Sequence, residues 1–350
     1  MHDIWPQLKP WVEAGEPFAL ATVVKARNPS PRGIGSVLAI DASGERFIGS
    51  VSAGCVEMEV IEVARACMKD GMTRWAEFGP SQGLPWEVAF SCGGKIRVRI
   101  EPFEYDEVVL PELMSLLDNS EIATWMDGEG KQALLREDGS LVGEESQWSA
   151  HTLGLARKHL AERAETREIE TGDGKLLLRS LTKPNRLFIV GAVHIAVHLV
   201  SIARSLNYRA IVIDPRESYA QSERFEVAPH QLIGSWPEVA LAAFELDEMD
   251  CAAMLTHDPK IDDQALAIFL KSDCGYMGAL GSRRSHAARL KRLSAAGFGE
   301  QDLRRIHGPI GLDIGSRTPA EIAISIMAEI VREKNLNPPK PALKAKAAQA

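Results

Sequence analysis

The sequence predicts an α/β protein in which an N-terminal mixed α+β domain precedes a parallel sheet covered by helices on both faces. Three observations carry this. The length, 350 residues, exceeds what one hydrophobic core normally serves, so two domains are expected. Strand-like segments in the first half are short and separated by Pro- and Gly-containing turns. From Arg186 onward, short continuous apolar runs alternate with helical stretches, the pattern of a sheet buried on both faces.

Taken in order, residues 18–24, 36–40 and 46–48 read as strands. A helix is expected over about 56–69, with Val56, Val60, Ala64 and Cys67 on one face. Residues 95–100 alternate strictly, as a half-buried strand does. Residues 122–126, 130–136 and 141–142 form a meander around Asp127-Gly128 and Asp138-Gly139. A helix near 149–165 and a strand at 174–181 close a first domain spanning 1–182. In the second domain, 183–334, the run 187–190 ends in Gly191 and leads into a helix through Leu206. Further runs stand at 210–213, 231–233, 251–255 and 275–280. A last helix over 320–333, apolar at Ile322, Ile324, Ile326, Met327 and Ile330, is expected to dock on the core. Residues 335–350 carry prolines and lysines with few large apolar side chains and read as a disordered tail.

Bulk properties exclude several classes. A net charge of −8 argues against non-specific nucleic-acid binding. No apolar run approaches the roughly 18 residues of a membrane span. The start, Met1 to Pro6, lacks a basic segment followed by an apolar one, so no signal peptide is expected. Five irregularly spaced cysteines point to reduced thiols and a cytoplasmic location.

The chemistry-bearing stretches cluster. Gly191-Ala192-Val193-His194 sits between strand and helix where a dinucleotide fingerprint would sit, and Asp214 falls where a ribose-binding acid is expected. This makes the second domain Rossmann-like. Val193 replaces the second glycine, so its side chain obstructs the backbone approach to a pyrophosphate. An NAD(P)-dependent oxidoreductase is therefore the alternative reading. His194, His257, Asp258, Arg283, Arg284 and Asp313 fall at strand C-terminal ends and are expected to share one crevice. Around Asp313, Gly311 and Gly315 permit positive φ, and Thr318-Pro319 supplies an N-cap followed by proline at the first helical position.

In the first domain, Cys55 stands at the start of a helix, where unpaired N–H groups and the helix dipole favour thiolate. Cys92 precedes Gly93 and Gly94 just before a strand, with room for a ligand to approach. From the residues alone both thiols are equally structural or functional. Cys67, Cys251 and Cys274 read as small core residues, and no C-x-x-C pair supplies a structural zinc site. Arg32, between Pro31 and Gly33, is placed to grip a phosphate or carboxylate bidentately.

Together these motifs resemble the XdhC/CoxI family. S-P-R-G-I-G at Ser30, G-S-V-S-A-G-C-V-E at Gly49 and S-C-G-G at Ser91 carry the N-terminal likeness. G-A-V-H at Gly191, V-I-D-P-R at Val212, T-H-D at Thr256, G-S-R-R at Gly281 and G-P-I-G-L-D-I-G-S-R-T-P-A-E-I-A at Gly308 carry the C-terminal one. The resemblance implies an accessory protein for molybdenum hydroxylases such as xanthine dehydrogenase, not a turnover enzyme. It implies binding of the molybdenum–pterin cofactor, protection during sulfuration by a cysteine desulfurase, and delivery to the apoenzyme. Cys55 and Cys92 become candidate molybdenum contacts, with Arg32, Gly54, Gly93 and Gly94 around them. Gly191, His194, Asp214, Arg216, His257, Asp258, Ser282, Arg283 and Asp313 become candidates to hold the pterin phosphate or an attached nucleotide. A homodimer is the expected assembly. Two departures from the family pattern stand out: Val193, and Ala53 in place of a glycine, the latter expected to be sterically mild.

Overall fold

The computed structural model describes residues 1–27, 32–79, 94–119, 121–128 and 130–337. They divide into two compact units, the first from Met1 to Lys183 and the second beginning at Pro184. Among these residues no helix is long and apolar enough to cross a membrane.

The first unit contains α1 (Trp5–Glu13), β1 (Phe18–Arg27), β2 (Val37–Asp41), β3 (Phe47–Gly49), α2 (Glu57–Asp70), β4 (Arg74–Phe78), β5 (Lys95–Pro102) and α3 (Val109–Asn119). It continues with β6 (Ala123–Gly128), β7 (Lys131–Arg136), β8 (Leu141–Val142), α4 (Ala150–Ala161), β9 (Arg167–Thr171) and β10 (Gly174–Leu181). The strands form two antiparallel sheets, ordered β3-β2-β1-β5-β4 and β8-β7-β6-β10-β9. The helix expected from Val56 begins one residue later, with Val60, Ala64 and Cys67 buried against the first sheet. It stops at Gly71, whose φ of 75° lets its N–H return to the Cys67 carbonyl. The sequence reading passed over α1, α3, β4 and β9, although Val109, Leu113, Leu116 and Leu117 put α3 on an ordinary helical spacing.

A buried charge cluster ties the two sheets together. Arg179 of β10 donates to Thr22 of β1 and pairs with Glu101 of β5, and with Asp127 of β6 at 3.2 Å. Arg99 pairs with Glu101 at 2.6 Å and donates to the Asp127 carbonyl at 3.2 Å. Burial and the neighbouring Asp127 push the Glu101 carboxyl up, and the two guanidinium groups oppose them.

The second unit runs β11 (Arg186–Val190), α5 (His194–Ser205), β12 (Arg209–Ile213), β13 (Gln231–Ile233), α6 (Pro237–Leu241), β14 (Cys251–Met254) and α7 (Pro259–Leu270). After these come β15 (Tyr276–Ala279), α8 (Arg283–Ala295), α9 (Glu300–Leu303), β16 (Ile306–His307) and α10 (Pro319–Leu336). All neighbouring strands are parallel, in the order β13-β12-β11-β14-β15-β16. Counted from β11 this is 3-2-1-4-5-6, the doubly wound order of dinucleotide-binding folds. Alternate residues of β11 serve opposite faces. Leu187 and Ile189 join Ala196, Leu199, Ile326 and Ile330 of α5 and α10, while Phe188 and Val190 join Leu266, Phe269 and Leu293 of α7 and α8. The sheet is thus covered on both faces, as the apolar runs predict.

One boundary is corrected. Asn335 and Leu336, expected in the tail, continue α10, because Pro338 is the first residue unable to extend a helix. The remainder of that tail, from 338, lies outside the described residues.

Candidate functional site

Because the six strands of the second unit are parallel, the loops that follow them emerge at one edge. Backbone bonds tie neighbouring loops: Leu255 N–H to the Val190 carbonyl at 2.8 Å, Leu280 to Met254 at 2.9 Å, and Ile310 to Ala279 at 3.1 Å. Gly191, His194, Asp214, Arg216, His257, Asp258, Ser282, Arg283 and Asp313 all fall in these loops or in the helix starts they feed. The order reverses between β11 and β14, which makes the crevice there the expected ligand position. Gly191, at φ 111°, is required at that point by packing. A Cβ there would stand 2.8 Å from the Thr256 methyl and 3.0 Å from its backbone nitrogen.

The individual side chains have different fates. Asp214 is fully buried. It accepts from Ala192 N–H at 2.8 Å, from Arg216 Nε and Nη2 at 2.8 and 2.7 Å, and from Arg216 N–H at 3.0 Å. Burial pushes its carboxyl up, and these donors outweigh burial and hold it below the ordinary aspartate value. Both oxygens are engaged, so a ribose hydroxyl would have to displace Arg216, which also lies 3.9 Å over the Tyr219 ring. Val193 occupies the N-cap of α5 without a side-chain cap, packed against the core. His194 is exposed, its ring 5.1 Å from that of His198. His257 is exposed in the left-handed region at φ 61°. Asp258 caps α7 through Lys260 N–H at 2.9 Å, and Ser282 caps α8 through Ser285 N–H at 3.1 Å. Arg283 and Asp313 are exposed, and Gly311 and Gly315 take the expected positive φ on either side of Asp313.

Two anchors of this edge escaped the sequence reading. Glu329 accepts from the Tyr276 hydroxyl at 2.7 Å and from Gly311 N–H at 2.8 Å, with His307 Nδ1 at 3.5 Å. Burial pushes its carboxyl up, but His307, Tyr276 and the Gly311 amide prevail and hold it at about 2. The signal was legible: Ile322, Ile326, Glu329 and Ile330 share one face of α10, which places an acid on a core stripe. The second anchor is Asp262, 1% exposed, which accepts from the Thr256 hydroxyl at 2.6 Å.

In the first unit Arg32 donates to the Ser50 carbonyl at 3.2 Å and reaches Asp3 at 3.4 Å, so its guanidinium braces the loop ahead of Cys55. Cys55 is exposed. The N–H groups expected to face its thiol are taken by other side chains. Glu57 folds back to accept from Ser52 N–H at 3.0 Å, Gly54 N–H at 2.9 Å and the Ser50 hydroxyl at 2.6 Å. The Ser52 hydroxyl accepts from Cys55 and Val56 N–H, both at 2.9 Å. Burial pushes the Glu57 carboxyl up, yet the two serines and the backbone N–H groups keep it at about 2. Cys92 and Gly93 lie outside the described residues, and Gly94 is buried just ahead of β5. Cys67, Cys251 and Cys274 are buried, and burial raises each thiol. Among the described residues no group of three or more His, Cys, Asp or Glu side chains is placed to hold a metal ion.

Ala53 departs from the expectation of mildness. Its φ of 61° lies in the left-handed region, where a Cβ costs about 1–2 kcal/mol. Glycine would relieve this while adding about 0.4–1 kcal/mol of unfolded-state freedom. Ala53→Gly is therefore expected to raise stability by about 0.5 kcal/mol, read as a higher urea midpoint at unchanged slope.

A thiol-bearing unit of two antiparallel sheets followed by a Rossmann-type unit with a polar strand edge defines a two-part architecture with a known counterpart. The chain belongs to the XdhC/CoxI family: residues 11–79 match the XdhC and CoxI family and residues 187–330 match the XdhC Rossmann domain. It is 28% identical over 346 residues to a probable xanthine dehydrogenase subunit of Bacillus subtilis (strain 168), covering 95% of this chain and 98% of that protein. It is 23% identical over 318 residues to the molybdenum cofactor insertion chaperone PaoD of Escherichia coli (strain K12), covering 91% and 83%. The crystal structure of a xanthine dehydrogenase from Bacillus halodurans superposes with a TM-score of 0.75 at 22% identity, over 96% of this chain and 97% of that one, which shows the shared fold.

Proposed function

We propose that the protein is a molybdenum cofactor chaperone. In this reading it holds the molybdenum–pterin cofactor, protects it while a cysteine desulfurase supplies sulfur, and delivers it to the apoenzyme of a molybdenum hydroxylase such as xanthine dehydrogenase. It works in the cytoplasm as a homodimer. The observation that carries the reading is the state of the Rossmann-type turn. The ligand edge is built, but the acid that would grip a ribose is locked by Arg216, in a chain similar along most of its length to a protein named for cofactor insertion. The exposed Cys55 offers a soft sulfur suited to molybdenum or its sulfido ligand. Cys92, with Gly93 and Gly94, is assigned the same role. The cofactor, when bound, supplies the redox chemistry of the client. This chain's residues bind and shield it.

The test is the molybdopterin content of the full chain purified after co-expression with cofactor synthesis, for wild type, Cys55→Ala and Cys92→Ala. Retention in wild type with loss in either variant is the expected result. Equal retention in all three removes the thiol role, and none in wild type removes the chaperone reading. The sheet order shared with NAD-binding folds keeps the oxidoreductase alternative testable. NAD(P) at a hundredfold above its Kd would stabilise the protein by about 2.7 kcal/mol, and Asp214→Ala would weaken that effect. No thermal shift with either nucleotide is expected.

A further inference from the structure

The chain has nine histidines, and seven of them are engaged, half-buried or set on separate elements. His159 shares a hydrogen bond with the Ser180 hydroxyl at 2.8 Å, His230 Nδ1 accepts from Ala210 N–H at 3.1 Å, and His307 faces Glu329. His2 and His286 are half-buried, and burial lowers the pKa of each. His151 and His257 are exposed, one in α4 and the other in the loop after β14. His194 and His198 form a pair.

That pair follows from how α5 is written. Ala196, Leu199, Val200 and Ala203 fill the buried face of the helix. His194 and His198, four residues apart, are left together on the outer side, the first exposed and the second half-buried. Their ring centroids stand 5.1 Å apart with the planes tilted by 39°. Neither ring makes a hydrogen bond or an ion pair among the described residues; the contact between them is the one that each makes.

Two imidazoles at this spacing make a bidentate ligand. A metal ion about 2.0–2.1 Å from an imidazole nitrogen lies roughly 3.2 Å from the ring centroid, so two rings at a tetrahedral angle have centroids about 5.2 Å apart. The observed separation matches that value. The packed face of α5 fixes the backbone, leaving two side-chain torsions per ring to set. Histidines at this i, i+4 spacing on one helix face are an established way to bind zinc. Imidazole suits Zn²⁺, Ni²⁺ and Cu²⁺, whereas Mg²⁺ and Ca²⁺ take oxygen ligands. The dipole of α5 opposes a cation at its first residue, but this is a weak effect at an exposed position. No third His, Cys, Asp or Glu joins the pair among the described residues. The remaining coordination positions therefore stay open to water or to a donor on another molecule.

We propose that His194 and His198 form an open two-histidine site for a late first-row dication of the Zn²⁺ class. The backbone amides of the helix start play no part in it. The site stands independently of the chaperone reading, and its failure would leave that reading unchanged.

The probe is Zn²⁺, titrated calorimetrically into the full chain after chelator treatment and removal of any purification tag. Wild type is expected to bind one ion saturably, and excess Mg²⁺ is expected not to displace it. His194→Ala and His198→Ala should each weaken binding by roughly tenfold or more, while His151→Ala, at an exposed position in α4, should change it by less than about twofold. Both rings lie on the outer side of α5, so the variants should keep the wild-type melting temperature without metal. Zinc should shift the imidazole NMR resonances of His194 and His198 together. No saturable binding in wild type, undiminished affinity in either α5 variant, an equal loss in His151→Ala, or movement of one ring alone overturns the site.

Discussion

Arg179→Met is expected to destabilise the first unit by about 3–5 kcal/mol, the scale measured when one partner of a buried ion pair is removed. Arg179 is 2% exposed and joins β1, β5, β6 and β10 through Thr22, Glu101 and Asp127. It also lies 5.0 Å over the buried Trp125 ring, a contact the methionine stem would keep only in part. Without the guanidinium, Glu101 and Asp127 remain as neighbouring buried acids with Arg99 alone to balance them. The check is urea unfolding followed by near-ultraviolet circular dichroism. Adding Glu101→Gln should recover part of the loss, because it removes the repulsion the single variant exposes. A loss below about 1 kcal/mol would mean that the cluster does not hold the two sheets together.

Glu329→Ala comes next in size, at about 2–4 kcal/mol. It leaves the Tyr276 hydroxyl and the Gly311 amide without an acceptor, each costing about 1–3 kcal/mol, less what water recovers. The expected local sign is faster amide exchange at Gly311 and Leu312, since the loop loses the carboxylate that pins it to α10. Glu329→Gln, which keeps one carbonyl acceptor, should lose about half as much. Acid should act through the same group. Glu329 and Glu57 both fall from the ordinary 4.5 to about 2 on folding, so each binds its proton more weakly in the native state. Their stabilisation is complete above pH 4.5 and drains away as the pH falls toward 2. The acid limb of a stability–pH curve should be shallower in Glu329→Gln than in wild type. Equal slopes would refute the assignment.

What was readable in the chain followed from locality. Residues 187–190 and 251–255 announced buried strands because no polar residue interrupts them. Thr318 and Pro319 announced a helix start because an N-cap followed by proline is a signal made by two adjacent residues. The positive φ of Gly311 and Gly315 was legible for the same reason. Partner choice was not. Asp214 read as a ribose acid, yet Arg216, two positions away, folds back and occupies it. Glu57 was passed over as a motif letter, though its carboxylate satisfies the amides the Cys55 reading had left open. Arg179 and Glu101 sit on inward strand positions where alternation predicts apolar side chains, so their pairing appears only once four strands are assembled. The strand β16 has two residues and could show no period at all.

The outermost strands of the six-stranded sheet, β13 and β16, are three and two residues long. An incoming strand from another molecule would find only two or three rungs to climb, although the middle of the sheet is rich in residues that favour fibrils. Brevity at the margins is a known guard against runaway stacking. Concentrated preparations of the folded chain should therefore stay clear of thioflavin-positive deposits until the second unit melts.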